Sequence, residues 1–313
     1  MIYDCFIFYN ELDILEMRLN ILSDIVDKFV LVEATKTFSN KEKNLIYQDN
    51  KNRFKRFSDK ILHIVVDDFP EFETSWHFEN YQRNAILHGL KDCDPEDIIM
   101  ISDVDEIPDP KHLYKIEIKT NEVICICLRV YWYYLNNLNV KAPVWRTASV
   151  KIIKYASILF NNLDERFIIY SNLVIKEMNA GVTPNKLRYY RNCRYKFNGG
   201  WHFSYLGGTE AISDKLKNFA HQEFNDEQHT DIEIINDRVK SGVNVCTGEK
   251  EFRAVEIDDY FPEYIRKNID LYSKHIIDAE IYNQTSIKII VAIKTFEGFL
   301  RAYAGKIKYL IRK

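Results

Sequence analysis

Glycine is scarce in this sequence, ten residues of 313, and proline scarcer at seven. A low-complexity, linker-like or collagen-like chain needs far more of both, so those classes are excluded. The six cysteines, at positions 5, 93, 125, 127, 193 and 246, form no CxxC pair and no regular framework. Disulfide scaffolds are denser and shorter, so reduced thiols in a cytoplasmic protein are expected. Cys125 and Cys127 sit two apart in an apolar run, a spacing that fits one packed strand face. The first residues, MIYDCFIFYNE, have no basic leader, and Asp4 interrupts the apolar stretch, so no signal peptide is expected. No uncharged apolar window reaches the roughly 18 residues that a membrane-spanning helix needs. A positive field is also lacking: the formal net charge is −3, which gives no reason to expect a nucleic-acid partner.

What is present is core-forming material, 46% hydrophobic and 14% aromatic. Short apolar runs at 2–8, 28–34, 60–66 and 97–103 read as buried strands. Helical patterns at 11–26 and 76–90 separate them. Alternation of this kind predicts an α/β fold, with a mostly parallel central sheet and helices on both faces. After residue 120 longer strands dominate, then a glycine-flanked strand leads into a helix at 199–224. Residues 155–195 read as a looser insertion and 225–285 as mixed helix and loop. The expected organisation is one domain over 1–285, with a nucleotide-binding half (1–120) and an acceptor-side half (121–285), and a separate tail over 286–313.

The segment IIMISDVDEIPDP (98–110) runs an apolar strand into Asp103, Asp105 and Glu106. In open α/β sheets ligands bind beyond the carboxyl ends of the strands, so these acids are expected at a binding crevice. Two aspartates at i, i+2 can share one cation where the chain bends, and hard carboxylate oxygens suit Mg²⁺ or Mn²⁺. Acidic triplets are also common on solvated surfaces, so the spacing alone leaves both readings open. The same Asp-x-Asp after a strand fits the nucleophile loop of haloacid-dehalogenase-type phosphatases, although that loop normally follows the first strand of the chain. A non-catalytic glycan- or nucleotide-binding module is a third reading.

Four segments carry a more specific signal: ELDILEMRLNILSDIVDKFVLVEATKTFSNKEK (11–43), ENYQRNAILHGL (79–90), DIIMISDVDEIPDP (97–110) and GGWHFSYLGGTEAI (199–212). In this order they resemble glycosyltransferase family 17, the family of the β-1,4-mannosyl-glycoprotein β-1,4-N-acetylglucosaminyltransferases. The resemblance implies a GT-A nucleotide-sugar fold, a UDP-sugar donor, a divalent cation (Mn²⁺ or Mg²⁺) and inversion at the anomeric carbon. Eukaryotic members carry an N-terminal membrane anchor, whereas this sequence opens on its first strand. It therefore looks more like the bacterial-type members, found among surface-polysaccharide genes, and a glycan or lipid-linked glycan is the acceptor expected.

Within that frame Asp105 is the expected metal ligand, with Asp103 on the metal or the donor ribose and His202 completing the shell. A histidine between Trp201 and Phe203 also fits a packed core residue. Asn10 and Glu11 at the first strand end, Glu33 at the second and Arg83 on the following helix are the donor-binding candidates, Arg83 toward the diphosphate. Arg146 and Lys151 are further phosphate candidates. Glu33 and Glu11 could equally serve the fold, and Arg83 could form a helix-surface ion pair. An inverting transfer needs a base for the acceptor hydroxyl. Glu210, at a helix start after Gly207–Gly208, is the candidate, with Asp164 and Glu165 in reserve. Trp132, Tyr133 and Tyr134 could stack on sugar rings or simply fill the core.

The tail has its own pattern. Ile289, Ile293, Phe296, Leu300, Tyr303, Ile307 and Leu310 recur four and three apart. Residues 286–313 carry seven Lys and Arg against Glu297, a net +6, leaving −9 for the rest of the chain. A basic amphipathic helix of this kind suits an anionic membrane surface, here the inner face of the membrane. Docking onto the domain and pairing with a second copy are the alternatives, since a four-three spacing is also a heptad.

Overall fold

The computed structural model describes residues 1–120, 122–155, 183–190 and 193–311. Its first half follows the predicted alternation: β1 (Ile2–Phe8), α1 (Leu12–Leu22), β2 (Lys28–Ala34), α2 (Ile46–Asp49), β3 (Ile61–Val66), α3 (Ser75–Asn84) and β4 (Ile98–Asp103). The predicted helix over 76–90 stays α-helical to Asn84 and tightens to a 3₁₀ turn over Ala85–Leu90. There Gly89 lies so close to β2 that a Cβ would stand 2.5 Å from Val30 Cγ1. β3, β2, β1 and β4 lie side by side and parallel, with Ile7 of β1 level with Val32 and Asp103.

Beyond β4 antiparallel pairings enter, so the sheet is mostly but not purely parallel. β5 (Glu106–Pro108), β6 (Ile124–Trp132), β7 (Asn137–Asn139), β8 (Val144–Lys154), α4 (Pro184–Arg188), β9 (Arg194–Lys196), β10 (Gly200–Ser204) and α5 (Thr209–Asn218) follow. Next come α6 (Glu227–Thr230), α7 (Ile232–Lys240), β11 (Phe252–Ala254), α8 (Glu263–Lys267) and α9 (Gln284–Ile311). β8 runs antiparallel between β4 and β6, whereas β9 and β10 pair parallel with β6. Among the described residues one sheet thus runs through both expected halves of the chain.

Two apolar layers cover the sheet. Phe6 and Phe8 pack with Leu15, Leu19 and Leu22 of α1 on one face. Cys5 and Ile7 pack with Ile86, Leu187, Cys125 and Cys127 on the other. Alternate β1 side chains therefore feed both layers, which explains why the strand reads as a continuous apolar run. The chain leaves β1 toward β2 on one side and returns as β4 on the other. That reversal opens a crevice beyond the carboxyl ends of β1 and β4, the usual ligand position in such sheets.

Candidate active site

The acidic loop after β4 is held from inside the protein. Asp4, which interrupts the apolar run of β1, is fully buried and pairs with Arg18 of α1, equally buried. Arg18 Nε and Nη2 donate to the two Asp4 carboxylate oxygens at 2.7 and 2.6 Å. Its Nη1 donates to the carbonyl oxygens of Asp103, Val104 and Glu106 at 2.9, 3.1 and 2.8 Å, and Nη2 also reaches Ser102 Oγ at 2.6 Å. One guanidinium thus fixes the backbone on which Asp103 and Asp105 sit. A planar fork of donors suits such a clamp, and a lysine could not reproduce it.

The side chains of the loop divide their work. Glu106 is buried and accepts from the Asp103 backbone N–H at 3.0 Å, from Trp145 Nε1 at 2.9 Å and from Arg188 of α4. It holds the loop, and burial raises its pKa despite the Arg188 guanidinium. Asp103, 35% exposed at its side chain, receives Arg83 Nη1 on one oxygen at 2.7 Å and Arg188 Nη2 on the other at 2.6 Å. Burial opposes its charged form, but the two guanidiniums outweigh this and lower its pKa. Arg83 is also paired with Glu79 at 2.7 Å, one turn back on α3.

Asp105 points to the other wall. Its Oδ2 accepts from Lys215 Nζ of α5 at 3.1 Å, and its Oδ1 lies 3.5 Å from His202 Nε2. Lys215 also donates to Ser204 Oγ at 3.2 Å. His202 and Ser204 alternate along β10 and so share one face. Burial works against charge on all three ionisable groups, yet their mutual attraction prevails. The Asp105 pKa falls well below the usual carboxylate range, while those of His202 and Lys215 rise. His202 Nδ1 is buried with no hydrogen-bond partner among the described residues.

These groups line a cleft of about 630 Å³ bounded by Tyr9, Glu11, Lys36, Lys43 and Arg83 on one side and by Trp132, Tyr205 and Lys215 on the other. Trp76, Phe219, His221 and Phe224 extend an aromatic wall. The volume falls in the range of small-molecule sites. The described residues hold no group of three or more His, Cys, Asp or Glu side chains spaced for a metal. Mg²⁺ and Mn²⁺, however, take part of their shell from substrate phosphate and water and need only one or two carboxylates. The Asp105 carboxylate and the His202 imidazole, whose Nε2 faces it at 3.5 Å, fit such a cation in kind, with Asp103 beside them. The ammonium of Lys215 must then leave Asp105 for a cation to take its place.

The remaining candidates separate. Glu11 lines the cleft, its Oε2 accepting the backbone N–H groups of Tyr9 and Asn10 at 3.2 and 3.1 Å. Asn10 is exposed, donates to Asp214 and is not among the cleft-lining residues. Glu33 does not reach the cleft. It is buried and accepts the N–H groups of Tyr47 and Gln48 and the ring of His63, so it caps α2 rather than binding a donor. Glu210 is exposed on the first turn of α5, accepts from Thr209 Oγ1, and is not among the cleft-lining residues. Lys151 is buried against Cys125 Sγ at 3.1 Å, away from the cleft. The Arg146 side chain, Asp164 and Glu165 lie outside the described residues. Trp132 lines the cleft, whereas Tyr133 is buried, its hydroxyl engaged by the backbone of Val243 and Val245. Gly200 lets β10 lie against β5: a Cβ there would stand 2.2 Å from Ile107 O.

Three site residues escaped the sequence reading. Arg188 fell in a stretch read as loose, and Lys215 looked like one of many helix lysines. Arg18 was signalled only indirectly, because a buried strand carrying Asp4 demands a cationic partner.

Carboxylates and cations facing each other across a crevice at a strand-order reversal define a site for a charged ligand. The model of glycosyltransferase family 17 matches residues 1–169, more than half of the chain, and the chain belongs to this family. Membership of a glycosyltransferase family speaks against the phosphatase reading. Relatives named beta-1,4-mannosyl-glycoprotein 4-beta-N-acetylglucosaminyltransferase are 29% identical in Homo sapiens and in Rattus norvegicus, each over 107 residues. That match covers 32% of this chain and a fifth of the length of those relatives. Among solved structures, the crystal structure of S. aureus TarS 1-349 is similar at a TM-score of 0.37 and 12% identity, over 76% of this chain and 72% of that one.

Proposed function

We propose that the cleft binds a UDP-sugar and that the enzyme transfers the sugar, N-acetylglucosamine by analogy with its relatives, with inversion to a hydroxyl of a glycan or lipid-linked glycan. In this reading the domain has a GT-A nucleotide-sugar fold. The observation that carries it is the facing of Asp103 and Asp105 with Lys215, Arg83 and Arg188 at the β1/β4 crevice. A diphosphate brings negative charge that grows on the leaving oxygen as the glycosidic bond breaks. Lys215 is the cation best able to meet it. Its side chain is 26% exposed and its ion-pair partner is a single carboxylate, whereas Arg83 and Arg188 each bind two. Arg83 and Arg188 keep Asp103 ionised and oriented, and Trp132 and Tyr205 offer ring faces to a sugar. A Mn²⁺ or Mg²⁺ held by Asp105 and His202, with Asp103 beside them, would supply further neutralisation of the departing diphosphate.

A second reading rests on the Lys215–Asp105 contact itself: the ammonium serves where a metal would. Thermal shift and calorimetric titration with UDP-N-acetylglucosamine, in Mn²⁺ and in EDTA, test both. The metal reading expects binding that EDTA removes and that Asp105→Ala abolishes in a folded protein. The ammonium reading expects binding that survives EDTA. Both expect Lys215→Met to weaken the donor by about 10- to 100-fold, the worth of one charge-assisted hydrogen bond. A folded Asp105→Ala and a folded Lys215→Met that both bind UDP-sugars like wild type would refute the site.

A further inference from the structure

The tail helix α9 has two faces that do opposite things. Ile287 and Val291 are buried in the main core, and Gly298 lies against Phe197, where a Cβ would stand 3.0 Å from Cε1. Those three positions mark the face that docks on the domain. At 3.6 residues per turn, Ile289, Ile293, Phe296, Leu300 and Tyr303 fall within a sector of about 80°, centred nearly opposite. Each of the five is 49–61% exposed. The docking expectation for this seam is therefore corrected: the helix docks, but by its other side. Phe299, 53% exposed, stacks on Tyr303 at 6.3 Å and widens the seam.

Exposed apolar surface on this scale calls for a partner, and charge selects which. Lys288 lies on one flank of the seam and Arg301 on the other, both exposed, at positions from which long side chains reach lipid headgroups. Glu297, the tail's one acid, is already paired with Lys294 at 3.0 Å. A second copy of the tail (286–313) would bring +6 against +6, with no acidic residues left to pair across the seam. No described helix is long and apolar enough to cross a membrane. We infer that α9 lies along an anionic lipid surface, its seam in the headgroup–acyl boundary and its opposite face still docked on the catalytic domain.

The test uses the full chain. Wild type should sediment with vesicles of phosphatidylcholine containing 30% phosphatidylglycerol in low salt, and should be released by high salt or by pure phosphatidylcholine. Phe296→Glu/Leu300→Glu changes only exposed side chains, so it should keep the melting temperature and lose binding. Lys288→Gln/Arg301→Gln should weaken binding roughly 25-fold, at about 1 kcal/mol for each basic residue. Light scattering should find no dimer that depends on the seam. Wild type left in the supernatant with the anionic vesicles would overturn the inference. So would equal binding to neutral vesicles, or a dimer that Phe296→Glu/Leu300→Glu dissociates, which would make the seam an interface between copies.

Discussion

Replacing Arg18 by lysine should cost both stability and donor affinity, and the structure sets the scale. Arg18 makes six hydrogen bonds, three to the Asp4 and Ser102 side chains and three to the carbonyls of the acidic loop. A lysine offers three donors from one point and cannot span Asp4 and three carbonyls together. Lysine keeps a charge opposite Asp4 but leaves three of the six acceptors without a donor, at roughly 1–3 kcal/mol for each buried group, so a loss of about 3–5 kcal/mol is expected. At roughly 2 °C per kcal/mol for a chain of this size, the melting temperature should fall by about 6–10 °C. The same loop carries Asp103 and Asp105, so donor affinity should fall in the surviving folded fraction. Asp4→Leu/Arg18→Met separates the two jobs of the arginine. It removes the buried charges as a pair, and if the ion pair were all that mattered, stability would largely return. The clamp reasoning expects a deficit to persist, because three buried carbonyls lose their donor. Differential scanning calorimetry of the two variants decides. An Arg18→Lys melting temperature within 2 °C of wild type, or full recovery in the double variant, would refute the clamp.

Glu210→Gln should leave turnover within tenfold of wild type, since the carboxylate faces solvent outside the cleft; a loss of 10²- to 10⁴-fold with unchanged donor affinity would return the general base to this residue. Asp13 ties α1 to the turn before α9 and to Arg53, accepting from His275 at 2.9 Å, Lys274 at 2.7 Å and Arg53 at 2.6 Å. The His275 hydrogen bond, with Lys274 and Arg53, pulls its pKa far below the usual carboxylate range. A depressed folded pKa contributes stability that is complete above the unfolded value and fades as pH falls. The melting-temperature gap between wild type and Asp13→Asn should therefore be constant from pH 7 to 5 and shrink below about pH 4. A gap that holds unchanged to pH 2.5 would show that Asp13 makes no such contribution.

The parallel half of the fold was legible because each strand buries both faces, so its composition is apolar throughout and its limits are sharp. The antiparallel half was not, since β8 and β10 find their neighbours through contacts distant in sequence. β10 pairs with β5 almost a hundred residues earlier, and only the glycine that lets the two backbones meet left a trace. Site legibility divides in the same way. Asp103, Asp105 and His202 stand in compact motifs and meet in the cleft, and Arg83 lies one helix away. Glu33 sat at a strand end like the others, but a strand end two places from the reversal serves the local turn. Glu210 was chosen because it stands at a helix start after Gly207–Gly208. Yet α5 turns its Lys215 side, not its first turn, toward the cleft.

The position of the acids at the end of an apolar strand follows from this electrostatics. Carboxylates on a flexible surface loop would be solvated and would hold a cation loosely. At the end of β4 the sheet fixes the backbone, Arg18 fixes the loop from below, and Glu106 neutralises part of the guanidinium charge around it. What remains facing the cleft is Asp103 balanced by two arginines and Asp105 balanced by one lysine. The arginine pairs are buried and geometrically locked, so they set orientation and do not exchange easily. The lysine pair is a partly exposed contact of a long flexible chain with one carboxylate oxygen and the Ser204 hydroxyl, and exchange costs less there. A dianionic diphosphate entering the cleft, as proposed, could therefore draw the Lys215 ammonium without dismantling the scaffold.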